Sequence, residues 1–244
     1  MSRLQGQVVV LTGGGSGVGR SAAGLLVQAG ANVVIAGRDP AKLEATLAEI
    51  NLPERTLAMP TDVTDPEQCR KLIEAATSRF GPVSILINNA GTNIKQRLFR
   101  DITPEAWDKM IRVNLDGAFY CTKAVLPQML EQKNGLIVNV VSVAGKRANP
   151  LGGVAYVAAK FGMGAMGLVL SNEEKDSGLR VSNIYPGEID TPILSERPVP
   201  ITEAHRATIL QPGDVAEAIL FVCNLPARVS IPELVIKPST QMYW

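Results

Sequence analysis

Tyr156 and Lys160 stand four positions apart in "VAYVAAK", a spacing that puts both on one face of a helix, one turn from each other. A phenol of ordinary pKa, about 10, is a poor acid or base, but an ammonium held beside it stabilises the phenolate and brings proton exchange toward neutral pH. Upstream, "VNVVSVAG" ends an apolar run at Ser142, whose hydroxyl could donate to the same substrate oxygen. The bland alternative is an amphipathic helix with polar tips. A second cluster lies near the start of the chain, where "TGGGSGVGR", Thr12 to Arg20, holds five glycines in nine positions. Bare backbone lets main-chain N–H groups approach an anion that a Cβ would hold off, and a helix beginning there adds its positive end. The alternative is a flexible turn.

The flanks of the glycines decide between phosphate site and turn. Val8 to Leu11 reads as a buried strand. Val18 to Ala29 carries Val18, Ala22, Leu25, Leu26 and Ala29 at helical spacing and stops at Gly30, and Val33 to Ala36 is a second strand. This strand–helix–strand frame is the context a dinucleotide-binding turn requires. Further apolar runs follow at Thr56 to Met59, Ser84 to Ile87, Leu136 to Val141, Arg180 to Tyr185 and Leu234 to Ile236, for seven strands in all. Helices fill the intervals, with Pro66 and Pro104 placed after Asp65 and Thr103 as first-turn prolines after a cap. Such alternation predicts an α/β fold, a parallel sheet covered by helices on both faces. One segment, about 186–212, breaks the rhythm with Pro192, Pro198 and Pro200. It leaves the carboxyl end of a strand, where open α/β sheets bind ligands, and reads as a substrate lid; a disordered surface loop is the other reading.

Bulk properties narrow the function classes. Across 244 residues, 24 Lys plus Arg against 23 Asp plus Glu leave a net charge of +1, with no field to draw nucleic acid or an anionic membrane. No run of about 18 uncharged apolar residues occurs and no export signal is apparent, so a soluble protein is expected. Cys69, Cys121 and Cys223 are widely separated along the chain and suit neither a disulfide framework nor a metal cluster, which points to a reducing cytoplasm. His205, the single histidine, lies in the lid segment. A serine hydrolase using Ser142 and His205 fails for want of a G-x-S-x-G elbow.

"TGGGSGVG", "NNAG" at Asn88 to Gly91, Asn114 in "RVNLDGAF", Ser142, "YVAAK" and "YPGEIDT" at Tyr185 to Thr191 occur in the order and approximate spacing of the short-chain dehydrogenase/reductase family. The chain resembles the shorter, soluble branch of that family, with its Asn-Ser-Tyr-Lys tetrad, over essentially its whole length. The resemblance implies a single doubly wound Rossmann domain, 1–244, with a seven-stranded parallel sheet. It also implies an oxidoreductase that interconverts a carbonyl and a secondary alcohol by hydride transfer, with a general likeness to 3-oxoacyl reductases and 3-hydroxy acid dehydrogenases. Tyr156 corresponds to the general acid or base, Lys160 to the residue that tunes it and grips the nicotinamide ribose, Ser142 to the serine that polarises the carbonyl, and Asn114 to the asparagine that holds a relay water. For the cofactor, Gly13, Gly17 and Gly19, with Ser16 and Val18, resemble the phosphate-binding turn. Asp62 and Val63 resemble the pair beside adenine, Asn89, Ala90 and Gly91 the strand end lining the ribose, and Pro186, Gly187, Ile189 and Thr191 the groups around the carboxamide. The family also holds dehydratases and epimerases, and a non-catalytic nucleotide sensor is a further possibility, although the usual mark of one is loss of the Tyr or Lys and both are present.

One departure is visible: the interval from Ser142 to Tyr156 is a residue longer than is usual in the family, so the loop Ala144 to Gly153 is expected to differ in shape. The choice of cofactor turns on "IAGRD". An NAD-preferring site has an acid about 20 positions beyond the glycine turn. Gly37 stands there, followed by Arg38, whose guanidinium suits a 2′-phosphate, so NADP is expected ahead of NAD. Asp39 is the complication, since it could reach the ribose if the strand ended later. The small residues of Val154 to Ser177, among them Gly162, Gly164 and Gly167, together with a helix near Asp108 to Leu130, predict a homo-oligomer, a tetramer by the same resemblance.

Overall fold

Seven aliphatic strands pair, all in parallel, into one sheet in the computed structural model, which describes residues 2–243. Along the chain run β1 (Val8–Thr12), α1 (Gly17–Gln28), β2 (Asn32–Gly37), α2 (Pro40–Ile50), β3 (Thr56–Pro60), α3 (Pro66–Phe80) and β4 (Ile85–Asn88). Then come α4 (Pro104–Ile111), a π-helical segment (Arg112–Asp116), α5 (Gly117–Glu131), β5 (Gly135–Val140), α6 (Val154–Glu173) and β6 (Leu179–Pro186). The chain continues through α7 (Glu203–Arg206), α8 (Pro212–Cys223) and β7 (Glu233–Ile236). Their order in the sheet is β3-β2-β1-β4-β5-β6-β7, so the direction of winding reverses between β1 and β4, which opens a crevice at the carboxyl ends of the strands.

Alternation along the strands divides the core in two. Val9 and Leu11 of β1 pack with Ala22 and Leu26 of α1 and Val215 and Ile219 of α8 on one face, while Val8 and Val10 meet Leu72 of α3 and Val125 of α5 on the other. Each buried Val, Leu or Ile among them contributes roughly 1.5–3 kcal/mol relative to exposure. The expected caps form: Asp65 accepts from the Glu67 amide at 2.9 Å and Thr103 from the Ala106 amide at 3.2 Å.

Four features differ from the sequence reading. The helix expected near Asp108 to Leu130 is broken by the π-helical segment, which widens the turn that carries Asn114. α6 ends at Glu173, four residues before Ser177, and its glycines open inward. A Cβ on Gly167 would lie 2.3 Å from Asn183 Oδ1, and one on Gly164 2.9 Å from the Tyr185 hydroxyl, so these positions let α6 settle onto the sheet and not onto a second helix. The segment 186–212 is not irregular throughout: it holds a 3-10 turn (Pro192–Glu196), α7, a bridge between Ile189 and Leu210, and an ion pair from Arg206 to Asp190. Cys69 and Cys121, far apart in sequence, meet at 3.5 Å as free thiols between α3 and α5. Among the described residues α6 is the one helix long and apolar enough to cross a membrane by composition. Its buried stripe, Ala155, Ala159, Lys160, Met163, Gly164 and Gly167, packs inside the protein.

An asparagine ladder fixes α6 over the strand ends. Asn88, Asn139 and Asn183 are register partners on β4, β5 and β6. Asn88 Nδ2 donates to Asn139 Oδ1 at 3.0 Å, Asn139 Nδ2 to Asn183 Oδ1 at 2.9 Å, and Asn183 Nδ2 to the Gly164 carbonyl at 3.0 Å. A chain of buried amides with so few alternative partners sets one height for the helix that carries Tyr156 and Lys160.

Candidate active site

A cavity of about 710 Å³ follows the crevice from the glycine turn to the lid segment. At its first end lie Gly13, Ser16, Gly17 and Val18. Gly13 and Gly17 have φ of +72° and +49°, conformations that glycine adopts without strain. α1 starts at Gly17 with no side-chain cap and no acid in its first turn, so its amide end and the Ser16 hydroxyl are available to an anion. Gly19 does not line the cavity; a Cβ there would lie 2.2 Å from the Gly13 carbonyl oxygen, so it keeps the turn tight. Asn89 stitches the turn to β4, donating to the carbonyls of Thr12 at 2.9 Å and Gly13 at 3.3 Å.

β2 ends at Gly37, and Arg38 and Lys42 both line this end of the cavity. Lys42 was not among the expected residues, because nothing in a strand-to-helix turn marks a lysine in the following helix as cavity-facing. Asp39 is the N-cap of α2. Asp62 and Val63 stand outside the lining: the Asp62 carboxylate accepts from the amide and hydroxyl of Thr64, both at 2.9 Å, and Val63 packs on Gly117.

The other end carries Ser142, Tyr156 and Lys160. Lys160 is 3 % exposed, its ammonium donates to the Val140 carbonyl at 2.9 Å, and it lies 5.7 Å from the centre of the Tyr156 ring. Burial pulls the Lys160 pKa down to about 8. Burial raises the Tyr156 pKa, while a hydrogen bond with Ser142 and the positive charge of Arg97 act in the opposite direction. The charge that lowers the phenol's pKa is thus that of Arg97, a residue with no sequence motif to announce it, and not that of Lys160, which was expected to supply it. Asn114 is buried behind the lining, its Oδ1 accepting from the Thr92 amide at 3.1 Å. A Cβ on Gly91 would be 3.0 Å from that oxygen and 3.8 Å from the Lys160 ammonium, so the two side chains approach the same bare glycine.

Ala90, Gly91, Pro186, Gly187, Ile189 and Thr191 complete the wall. Gly187 is more than a turn residue, since a Cβ would lie 2.3 Å from Gln241 Oε1. The C-terminal residues Gln241, Met242 and Tyr243 also close the cavity, which sequence reasoning missed. The longer loop before Tyr156 folds as a 3-10 turn (Val143–Gly145) and a tight turn, pinned where Asn93 donates to the Gly152 carbonyl at 3.0 Å and Arg97 to the Leu151 carbonyl at 2.9 Å. His205 contacts Glu188 at 2.7 Å within the lid segment.

Residues 7–199 match the family model described as short chain dehydrogenase. The chain belongs to the short-chain dehydrogenase family. It is 35% identical over 241 residues to an uncharacterized oxidoreductase of Staphylococcus aureus (strain USA300), covering 98% of this short-chain dehydrogenase and 100% of the relative. A 3-ketoacyl-(acyl-carrier-protein) reductase from Brucella melitensis, solved with NADH, superposes with a TM-score of 0.87 at 31% identity, covering 96% of this chain and 97% of the other. A closed serine dehydrogenase solved with NADP+ gives 0.87 at 29% identity, with 96% of each chain covered.

Proposed function

We propose that this short-chain dehydrogenase is an NADP(H)-dependent oxidoreductase interconverting a carbonyl and a secondary alcohol. The observation that carries the reading is the convergence of Tyr156, Ser142 and Lys160 at one end of a cavity whose other end is a bare glycine turn. A dinucleotide fits this chain's residues: the uncapped start of α1 and Ser16 would hold its phosphates, and Lys160 and the wall from Pro186 to Thr191 its nicotinamide half. When bound, the nicotinamide supplies or accepts the hydride at the substrate carbon. In reduction, the substrate oxygen lies between the Tyr156 and Ser142 hydroxyls. Ser142 Oγ accepts from the Ala144 amide at 3.1 Å, so its one hydrogen, which serves Tyr156, is the group it would turn to the substrate oxygen. Tyr156 gives up its proton as negative charge develops on the oxygen. Lys160, whose ammonium approaches Gly91 beside Asn114, would then restore it. Oxidation runs the same steps backwards.

NADP over NAD is supported by two cations, Arg38 and Lys42, at the glycine-turn end, with Asp39 engaged as a helix cap. Solved proteins of this fold include carriers of either dinucleotide, NADH in the reductase and NADP+ in the serine dehydrogenase. The substrate belongs with the 3-oxoacyl and 3-hydroxy acid compounds suggested by those neighbours, under a lid formed by 186–212. Three free cysteines suit a cytoplasmic setting. The test is an NADPH-oxidation screen over 3-oxo acids and esters, diketones, aldehydes and sugars. Turnover of at least one carbonyl class with NADPH ahead of NADH is the expected result, and none with either dinucleotide would refute the reading.

A further inference from the structure

Arg97, in the loop that follows Gly91, is 6 % exposed and lines the cavity together with Tyr156. A guanidinium so deeply buried ordinarily has a carboxylate partner. Among the described residues none lies within ion-pair distance of Arg97. Its partners are three backbone carbonyls: Nε donates to Ile94 at 2.7 Å, Nη1 to Leu151 at 2.9 Å, and Nη2 to Glu196 in the lid segment. Carbonyls satisfy hydrogen bonds but carry no full charge, Glu196 attracts the guanidinium without pairing with it, and two of the five guanidinium N–H groups remain. A second cation, Arg197, lies near enough to repel it, and is itself paired with Glu188 at 2.5 Å. The backbone makes room for the base of this side chain: Gly153 has φ of +81°, and a Cβ there would lie 2.5 Å from Arg97 Cβ.

We propose that Arg97 is the anchor for a carboxylate of the substrate, and that the enzyme acts on free short-chain hydroxy acids and their oxo acids. The inference rests on the oxidoreductase reading above and narrows its substrate class. Two remaining N–H groups on a planar fork match the two oxygens of a carboxylate. Arg97 shares the cavity wall with Tyr156, and its Cβ lies against Gly153, three residues before Tyr156, which places the anion near the carbinol carbon, as in a 2- or 3-hydroxy acid. A thioester-borne acyl group presents a neutral carbonyl at that position and keeps its phosphates at the far end of a long arm.

The test compares oxidation of lactate, glycerate and 3-hydroxybutyrate with that of their methyl esters, and of glycerol 3-phosphate, by the enzyme with NADP+. At least one acid should exceed its ester tenfold or more in kcat/KM. Arg97→Gln should cut that acid-to-ester ratio at least tenfold, chiefly through KM, and Arg97→Lys, which keeps the charge and is the second variant should the first not fold, should retain part of it. Esters equal to acids in every pair, or preference for glycerol 3-phosphate, would overturn the proposal. So would an equal loss on acid and ester with a shifted pH profile, which would assign Arg97 to tuning Tyr156. Should no compound turn over, calorimetric titration of butyrate and butyramide decides: saturable butyrate binding, weakened in Arg97→Lys or Arg97→Gln, upholds the anion site, and no binding overturns it. Performing the titration with and without NADP+ separates failure of this site from failure of the enzyme to bind a dinucleotide.

Discussion

Asp39 caps the helix that presents Lys42: its Oδ1 accepts from the Lys42 amide at 3.3 Å and its Oδ2 lies 3.7 Å from the Lys42 ammonium. An acid just past the end of β2 can serve a ribose hydroxyl, but this one faces its own helix. Beside it, Arg38 enters no ion pair among the described residues and lines the cavity.

Arg38→Ala is therefore expected to raise the KM for NADPH about tenfold or more, the range for loss of a charge-assisted contact to phosphate, while the KM for NADH changes much less. Lys42→Ala should act in the same direction and more weakly. Steady-state kinetics with both dinucleotides checks this, and equal use of the two by the unmutated enzyme refutes the cofactor assignment.

Tyr156→Phe keeps the ring and its packing but removes the transferable proton. Turnover should fall about 10²-fold or more, in line with general-acid contributions, with dinucleotide binding retained. Since burial raises the phenol's pKa, alcohol oxidation, which needs the phenolate, should accelerate as pH rises. A variant with near-native turnover would remove Tyr156 from the mechanism.

Lys160 stores a stability cost. With its pKa pulled from 10.5 to about 8, the unfolded chain holds more protons than the folded one between those values, so this residue makes stability rise with pH across that window. Below about pH 8 the full cost of burying the ammonium is present, about 3 kcal/mol from a shift of this size. Lys160→Met should melt higher than the native protein at pH 7 in the absence of cofactor, lose that advantage near pH 10, and be catalytically inactive. Thermal melts at the two pH values that show no gain at pH 7 would contradict it.

The strands were legible because each is an apolar run bounded by helix caps whose chemistry is local, as with Asp65 and Pro66. That Tyr156 and Lys160 share one helix turn was legible from their spacing, whereas Ser142 and Asn114 joined them only through the family resemblance. What escaped were relationships that exist only across elements. Asn139 becomes a ladder member only once β4, β5 and β6 are in register, and Gly167 reads as an interface residue until Asn183 is seen to occupy the space above it. Arg97 lies in a loop without periodicity, and its burial depends on carbonyls from Leu151 and Glu196, both remote in sequence. Lys42, Gln241 and Tyr243 reach the cavity through the geometry of neighbouring segments alone.

The outer side of α6 makes the last prediction. Phe161, Ala165 and Val169 are exposed at successive helical turns, and Phe119 is exposed on α5. Phe161, Val169 and Phe119 are 41%, 54% and 48% exposed, large apolar side chains that water-facing helices do not favour. Covering such a stripe by a two-fold related copy brings each residue near its own counterpart, because an isologous interface is self-complementary. A like charge placed there meets itself, with repulsion added to the loss of buried apolar area. Light scattering at micromolar concentration should give a tetramer for the native chain and a smaller species for Phe161→Glu or Val169→Lys. A native monomer would sink the oligomer proposal. A native tetramer that survives both substitutions would move the interface to another face.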